Sequence, residues 1–350
     1  MLRRIWQLTL AGLLFCLLLV GPLGQSLHAA APDRATAALL PSQPGAGTGK
    51  GPELVKVGIF ITRLDNFNLE KKSFDATFWL WSLTPNKIDN RLDDIEFTNA
   101  EVIQFSNNYS KKIPGGVWSQ RKVVGTFHHD WDLRKFPFDH QDLVIKVEES
   151  QAYISALVYV PDQPKTVIDA DLKIKGWRVV SSQLRAGSKT YMSSFGDPSL
   201  PPGSPTAFSN FDVTVRLVRA NYTAFWKFTA GAWVAAAIAL ASYAFHVDKG
   251  QTMSPRFALL SGAVFAAIIS LRTESTELGT ISYNTLVDQI HLVTLLYVIV
   301  ATFAGVYTWS LYRRHQDSKS IQKLGRSVAF VSTFLMVVMI ISLVRKAMLT

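Results

Sequence analysis

The chain has 350 residues, 48% hydrophobic and only 18% charged, with a formal net charge of +10. That apolar share is high for a soluble protein and gathers at the extreme N-terminus and after Tyr222, the distribution of a membrane protein with a large water-exposed part. The basic residues are scattered among acidic ones, and no Lys/Arg run is interleaved with aromatics on one element, so nucleic acid is not an expected partner.

Residues 1–31 carry the three parts of a secretory signal: Arg3 and Arg4, an apolar run from Leu8 to Leu23, then Ala29-Ala30-Ala31. The alternative is an uncleaved membrane anchor. Cys16, the only cysteine, lies inside this run, so a processed chain has no disulfide and no thiol chemistry. Residues 32–53, rich in Ala, Gly and Pro without periodicity, read as a flexible leader.

From residue 54 to 219 the pattern is short alternating strands without a convincing helix. Val55, Val57 and Ile59 alternate with Lys56 and Gly58, and Phe74, Ala76, Phe78 and Leu80 face one way with Trp79 and Trp81 the other. Further strands are expected at Ile95–Phe105, Val117–Phe127, Leu143–Val147, Ile154–Val160, Trp177–Ser182 and Phe208–Leu217. Turn signals fall at Thr84-Pro85-Asn86, Pro114-Gly115-Gly116 and Pro161-Asp162, and Ser193–Pro205 reads as a long, mobile hairpin loop. Such a series predicts an all-β sandwich. Trp131-Asp132-Leu133-Arg134-Lys135-Phe136-Pro137-Phe138-Asp139-His140-Gln141 interrupts it. Pro137 cannot continue a strand ladder, and two phenylalanines on a charged loop need an apolar surface, for which the membrane-embedded half of the chain is the candidate.

Four apolar spans follow, at about 222–245, 255–276, 286–311 and 327–346, each near the ~20 residues that cross a bilayer. Lys249, Arg256, Arg313, Arg314, Lys319, Lys323 and Arg326 lie on one side. Arg272, Arg345 and Lys346 lie on the other. Seven basic residues against three favour the first side as cytoplasmic, with the β domain and the C-terminus outside.

The second span is unlike a helix made only for lipid. Arg256 opens it, Arg272 closes it, and small residues lie between. Steps of three and four residues place Ala258, Gly262, Phe265, Ile269, Arg272 or Thr273, and Thr276 on one stripe. Around an axis such a stripe gives a small-residue inner end, a Phe265/Ile269 constriction that gates by dewetting, and a polar mouth. The competing reading is that the small residues merely allow close helix packing. His128-His129 beside Asp130 and Asp132 does not make a metal site, because adjacent strand residues face opposite ways. No Ser/His/Asp arrangement, phosphate-cradling glycine loop or HExxH motif occurs, so neither an enzyme nor a cofactor is expected.

Several motifs together carry a resemblance. Asp132-Leu133-Arg134 followed by Phe136-Pro137-Phe138-Asp139 and Gln141 is similar to the signature loop of the prokaryotic pentameric ligand-gated ion channels, relatives of the Cys-loop receptors, here without the flanking cysteines. Asp94-Ile95-Glu96-Phe97-Thr98-Asn99-Ala100 resembles that family's first ligand-site loop. Arg216-Leu217-Val218-Arg219 through Tyr222 resembles its last strand entering the first membrane helix, and the four spans with a short linker (Tyr312–Ser327) resemble the bacterial form.

The resemblance implies a periplasmic β-sandwich on a four-helix transmembrane bundle in the bacterial inner membrane. It also implies a homopentamer, a pore lined by the second helix, a permeating inorganic ion, membrane lipid around the bundle, and a small-molecule or proton agonist. It implies a coupling interface of Phe67, Phe136, Pro137, Phe138, Asp139, Arg219, Tyr222 and Tyr283, with Asp139 and Arg219 as opposite charges that a small rotation re-pairs. The candidates for the ligand site are Phe97, Tyr153, Tyr191, Phe195, Glu148 and Glu149, with Trp79 or Trp118 from a neighbour, an aromatic box that favours a cation. The chain departs from the family where Glu148-Glu149-Ser150 replaces the usual aromatic loop and Leu92-Asp93-Asp94 replaces Trp-x-Pro-Asp. Ser254-Pro255-Arg256 at one end of the second span and Glu274 and Glu277 at the other leave the ion's sign open. A non-conducting, membrane-anchored sensor of the same fold is the alternative.

Overall fold

A computed structural model describes residues 51–85, 91–162, 167–245, 253–278, 281–314 and 317–349, with the backbone alone over 273–278. The expected signal peptide, all but the last three residues of the leader, Lys249, and the side chains of Thr273, Glu274, Thr276 and Glu277 lie outside this description.

Among the described residues nine strands form two sheets: β1 (Glu53–Asn68), β2 (Ser73–Pro85), β3 (Ile95–Phe97), β4 (Ala100–Ile113), β5 (Gly116–His128), β6 (His140–Tyr153), β7 (Leu157–Pro161), β8 (Trp177–Tyr191) and β9 (Thr206–Arg219). One sheet runs β4-β5-β2-β1-β7 and the other β3-β6-β9-β8. Their inward residues meet in a single core, with Val57, Ile59, Phe78 and Phe127 from the first and Leu143, Ile145, Phe211 and Val213 from the second. This is a β-sandwich. Period-two burial is clearest on β2, where Phe74, Ala76, Phe78 and Leu80 are buried and Trp79 and Trp81 face outward, half-buried.

Two expected strands have other bounds in the structure, and one of them is divided between the sheets. Ile95–Phe105 breaks at Thr98-Asn99, so that β3 pairs with β6 and β4 with β5. The Asn99 amide makes the crossing. It donates to the carbonyls of Val144 (2.8 Å) and His128 (3.2 Å), and its oxygen accepts the Lys146 N–H (2.9 Å), tying strands of both sheets through one side chain. The expected strand Ile154–Val160 begins only at Leu157, because residues 154–156 form a turn closed by Ala156 N–H on the Tyr153 carbonyl, and β7 then runs parallel to β1. Polar residues recur along Ile95–Phe105 on both sides of the break, so period alone does not show where the strand leaves one sheet for the other. The segment between β8 and β9 is a chain of turns, closed by the N–H groups of Asp197, Leu200 and Ser204 on the carbonyls of Ser194, Asp197 and Pro201.

Four helices follow among the described residues: α1 (Thr223–Ser242), α2 (Met253–Leu278), α3 (Leu286–Arg313) and α4 (Ser318–Leu349). Each contains a stretch long and apolar enough to cross a membrane, with mean hydropathy between 1.4 and 2.5, making this a multi-pass membrane protein. Helix α3 opens on a capping box in which Thr285 accepts the Asp288 N–H and the Asp288 carboxylate accepts the Thr285 N–H. Helix α4 begins at Ser318, well before the apolar stretch that marks its span, because the Asp317 carboxylate accepts the N–H of Lys319 and Ser320 and starts the helix in polar sequence. The linker read as Tyr312–Ser327 is therefore largely helical, with only a few residues between α3 and α4. Helix α1 packs on α2 and α3, α2 on α3, and α4 on α3.

Candidate functional site

Three groups of residues lie where the fold could do work: the junction between sandwich and bundle, the outward stripe of α2, and an aromatic cluster on the four-stranded sheet.

The junction follows from strand register. His140 opens β6 opposite Val218, and Trp177 opens β8 opposite Arg219. The residue before β6 is therefore beside the last residue of β9, with the indole of Trp177 alongside. Asp139 accepts from Arg219 Nε at 2.9 Å, its side chain 1% exposed against 19% for the arginine. The guanidinium lies 4.3 Å from the Trp177 ring centroid and 4.7 Å from that of Phe136, so two aromatic faces hold the cation while the carboxylate neutralises it. The Gln141 amide N–H groups donate to Asp139 Oδ2 (2.8 Å) and to the Asp132 carbonyl (2.9 Å), fixing the loop around the buried charge.

The two rings beside Pro137 both reach α1. Phe136 stands edge-on to Phe228 at 5.3 Å and belongs to the sandwich core, whereas Phe138 packs on Tyr222 (5.1 Å) and Phe225 (5.5 Å) and joins the helix core. In the opposite direction Val287 of α3 is fully buried in the sandwich core. Tyr283, in the linker between α2 and α3, donates its hydroxyl to the Trp131 carbonyl (3.0 Å) and accepts the Leu133 N–H (2.9 Å). Phe67 closes the cluster against Trp131 (5.6 Å) and Trp177 (6.1 Å). The structure thus brings all eight proposed junction residues to one place. Trp131 and Gln141 belong to the loop that the sequence marks out, whereas Trp177 was not singled out from sequence. The register Trp177↔Arg219 is the signal for Trp177, but it becomes readable only once the β8–β9 pairing is known.

His129 borders this cluster, its ring 4.6 Å from that of Trp131. Gln141 spends its N–H groups on Asp132 and Asp139, so its oxygen is an acceptor and His129 Nε2, at 3.3 Å, carries the proton in the neutral ring. Burial holds the His129 pKa below its ordinary 6.5. A lowered base means that the unfolded state binds the proton first, so its contribution to stability is present above about pH 6.5 and declines as pH falls through that value toward the folded pKa. The thermal midpoint of the detergent-solubilised protein should therefore fall between pH 7 and pH 5, and His129→Gln should flatten that slope. An unchanged slope in the variant would remove His129 from the account.

On α2, Ala258, Gly262, Phe265, Ile269 and Arg272 are all exposed, with Phe265 at 66% and Ile269 at 62%. The opposite face, Arg256, Leu260, Ala263 and Ala267, is buried against α1 and α3. Arg256 therefore does not join the outward stripe. It lies beneath the bundle surface, 5.0 Å from the Tyr243 ring and close against Gly305, where a Cβ would crowd its guanidinium. Ser270 Oγ is 2.8 Å from Nε2 of the buried His291 of α3, holding the back of α2 one residue from Ile269.

The ligand candidates divide. Tyr153 lies opposite Phe208 across β6 and β9, and Lys189 lies opposite Phe208 across β8 and β9, so all three share the outward face of the four-stranded sheet with Tyr191, two residues on. Ring centroids are 5.3 Å apart for Tyr153–Phe208 and Tyr191–Phe195, and 6.1 Å for Phe195–Phe208. Glu148, opposite Asn210, is on this face and accepts from the Tyr191 hydroxyl at 2.7 Å. Glu149, one residue on, points into the sandwich, where it accepts from Tyr159 Oη (2.6 Å) and the N–H groups of Gln151 and Ala152. Phe97 is in the core against Phe78 and Phe127. Trp79 and Trp118 stand on the outer face of the other sheet, Trp118 5.8 Å from Tyr109. Phe208 and Lys189, absent from the sequence-based set, are at the cluster's centre. Among the described residues no group of three or more metal-ligating side chains occurs.

Compared with known proteins, the chain matches no family model and no curated sequence.

Proposed function

We propose that the chain is a ligand- or proton-gated ion channel of the bacterial inner membrane, assembled as a homopentamer with the β domain and the C-terminus on the periplasmic side. The observation that carries the reading is the division of α2 into two faces. One is buried on its neighbours. The other is an exposed stripe of small residues interrupted by Phe265 and Ile269, and a ring of such stripes makes an axial pathway narrowed by apolar side chains.

In this reading the junction transmits. An agonist acting on the sandwich shifts the 136–139 loop, and the Asp139–Arg219 pair, the Phe138 ring in the helix core and the Tyr283 hydroxyl on the Trp131 and Leu133 backbone pass that shift to α1 and to the α2–α3 linker. The two domains interlock, Phe138 entering one core and Val287 the other, so a rotation of either is felt by both. The buried position of Arg256 leaves ion sign to residues on the exposed stripe and at its mouths.

Reconstitution of the purified full chain into planar bilayers tests this. Single-channel currents evoked by acid pH or by a small-molecule ligand are expected. A folded pentamer that stays silent across pH and ligand screens would instead favour the membrane-anchored sensor, for which the α2 stripe is only a helix face.

A further inference from the structure

We infer that the aromatic cluster on the four-stranded sheet takes a ligand bearing a carboxylate on an aromatic or apolar body, gripped by Lys189, and not an organic cation. The inference rests on the ligand-gated reading above and names the class of molecule that reading leaves open.

An aromatic box holds an organic cation when a ring face and a nearby carboxylate are both open to it. Here the Tyr191 face and the Glu148 carboxylate are both already engaged. Lys189 Nζ already sits 4.6 Å from the Tyr191 ring centroid, the position that a ligand ammonium would take. The Tyr191 hydroxyl is committed to Glu148 at 2.7 Å and the Tyr153 hydroxyl to Asp197 at 2.6 Å, so each phenol caps a carboxylate. Glu149 contributes nothing, being turned inward on Tyr159. The pKa of Lys189 is raised, first by its hydrogen bond to Tyr191 and further by the fields of Glu148 and Asp212, so it is fully charged at neutral pH. The charge of Glu148 is thus balanced within the chain, and an incoming cation must expel Lys189 or accept its repulsion.

A carboxylate meets the opposite situation. The ammonium has three donors, and its lysine is solvent-exposed, so an anion forms charge-assisted hydrogen bonds there without breaking the Tyr191–Glu148 or Tyr153–Asp197 contacts. The ligand's body also has a place. Phe195 is 63% exposed and stands edge-on to both Tyr191 and Phe208, with Met192 83% exposed beside it, an apolar shelf next to the Lys189 cation.

Phenylacetate and phenethylamine present the same ring with opposite charge, and both can be titrated calorimetrically into the detergent-solubilised full chain. Phenylacetate is expected to bind at least about tenfold more tightly, a fold-change on the scale of one charge-assisted hydrogen bond. Lys189→Gln should remove that preference with little change in thermal midpoint, and Lys189→Arg should retain it. The inference is overturned if phenethylamine binds as well as phenylacetate or better, if neither binds, or if Lys189→Gln leaves phenylacetate affinity unchanged. The readout is independent of conduction. Phenylacetate binding without current from any ligand would sink the channel reading and spare the ligand class, whereas currents evoked by an amine would do the reverse.

Discussion

Asp139→Asn is expected to destabilise the protein by about 2–3 kcal/mol and to uncouple the sandwich from the bundle. Removing one partner from a fully buried ion pair costs about 3–5 kcal/mol, because the remaining charge is left without compensation in a poor solvent. Arg219 keeps 19% of its side-chain exposure, so water recovers part of that cost. The aspartate is also the acceptor for Gln141, and an amide in its place offers Gln141 and Arg219 one oxygen where the carboxylate offers two. The measurement is a double-mutant cycle on chemical or thermal unfolding, with Asp139→Asn, Arg219→Met and the pair. If the two residues act as a unit, the double variant should be clearly less destabilised than the sum of the singles. Additive losses would show that each side chain serves separate neighbours, Arg219 its two rings and Asp139 its glutamine. Ligand binding at the aromatic cluster should survive in every variant, since Lys189 and Tyr191 lie at the opposite end of β8 from Trp177. Pro137→Ala, in the same loop, should likewise impair gating or assembly more than binding.

Strand and helix placement was largely readable because it depends on period. The alternation on β2, the four apolar spans and the α2 stripe are all set by side-chain type at fixed spacing. What was not readable depends on register between segments far apart in sequence. Asn99 looks like any other polar residue of its segment, yet its amide decides where the chain changes sheet. Phe208 looked like the first residue of a strand. Only the pairing of β9 with β6 and β8 sets it between Tyr153 and Lys189. Glu148 and Glu149 were read together as two carboxylates of one site, and the strand's period of two separates them, one outward on Tyr191 and one inward on Tyr159. Arg256 was read as a charge at the mouth of the second span. Two residues of helix turn it about 200° away from Ala258, and that rotation places it behind the stripe.

Phe265→Ser separates the channel from the sensor. Phe265 is 66% exposed and makes little contact within its own protomer, so its replacement should change protomer stability by no more than about 0.5 kcal/mol, the usual range for a surface substitution. If five such rings form an apolar constriction, a hydroxyl in place of each ring lets water wet the narrowing, and the energetic barrier to ions falls with it. Liposomes carrying the variant should then leak ions without ligand, at rates well above wild type. Ala263→Leu is the matched control. Ala263 is fully buried two positions away, on the face that packs into the bundle, and extra methylenes there should cost about 1–3 kcal/mol without opening a leak of their own. A pore helix predicts leak from the first variant and instability from the second. A helix that only packs against neighbours or lipid predicts no leak from either, with Phe265→Ser nearly silent, and that result would move α2 from gate to anchor.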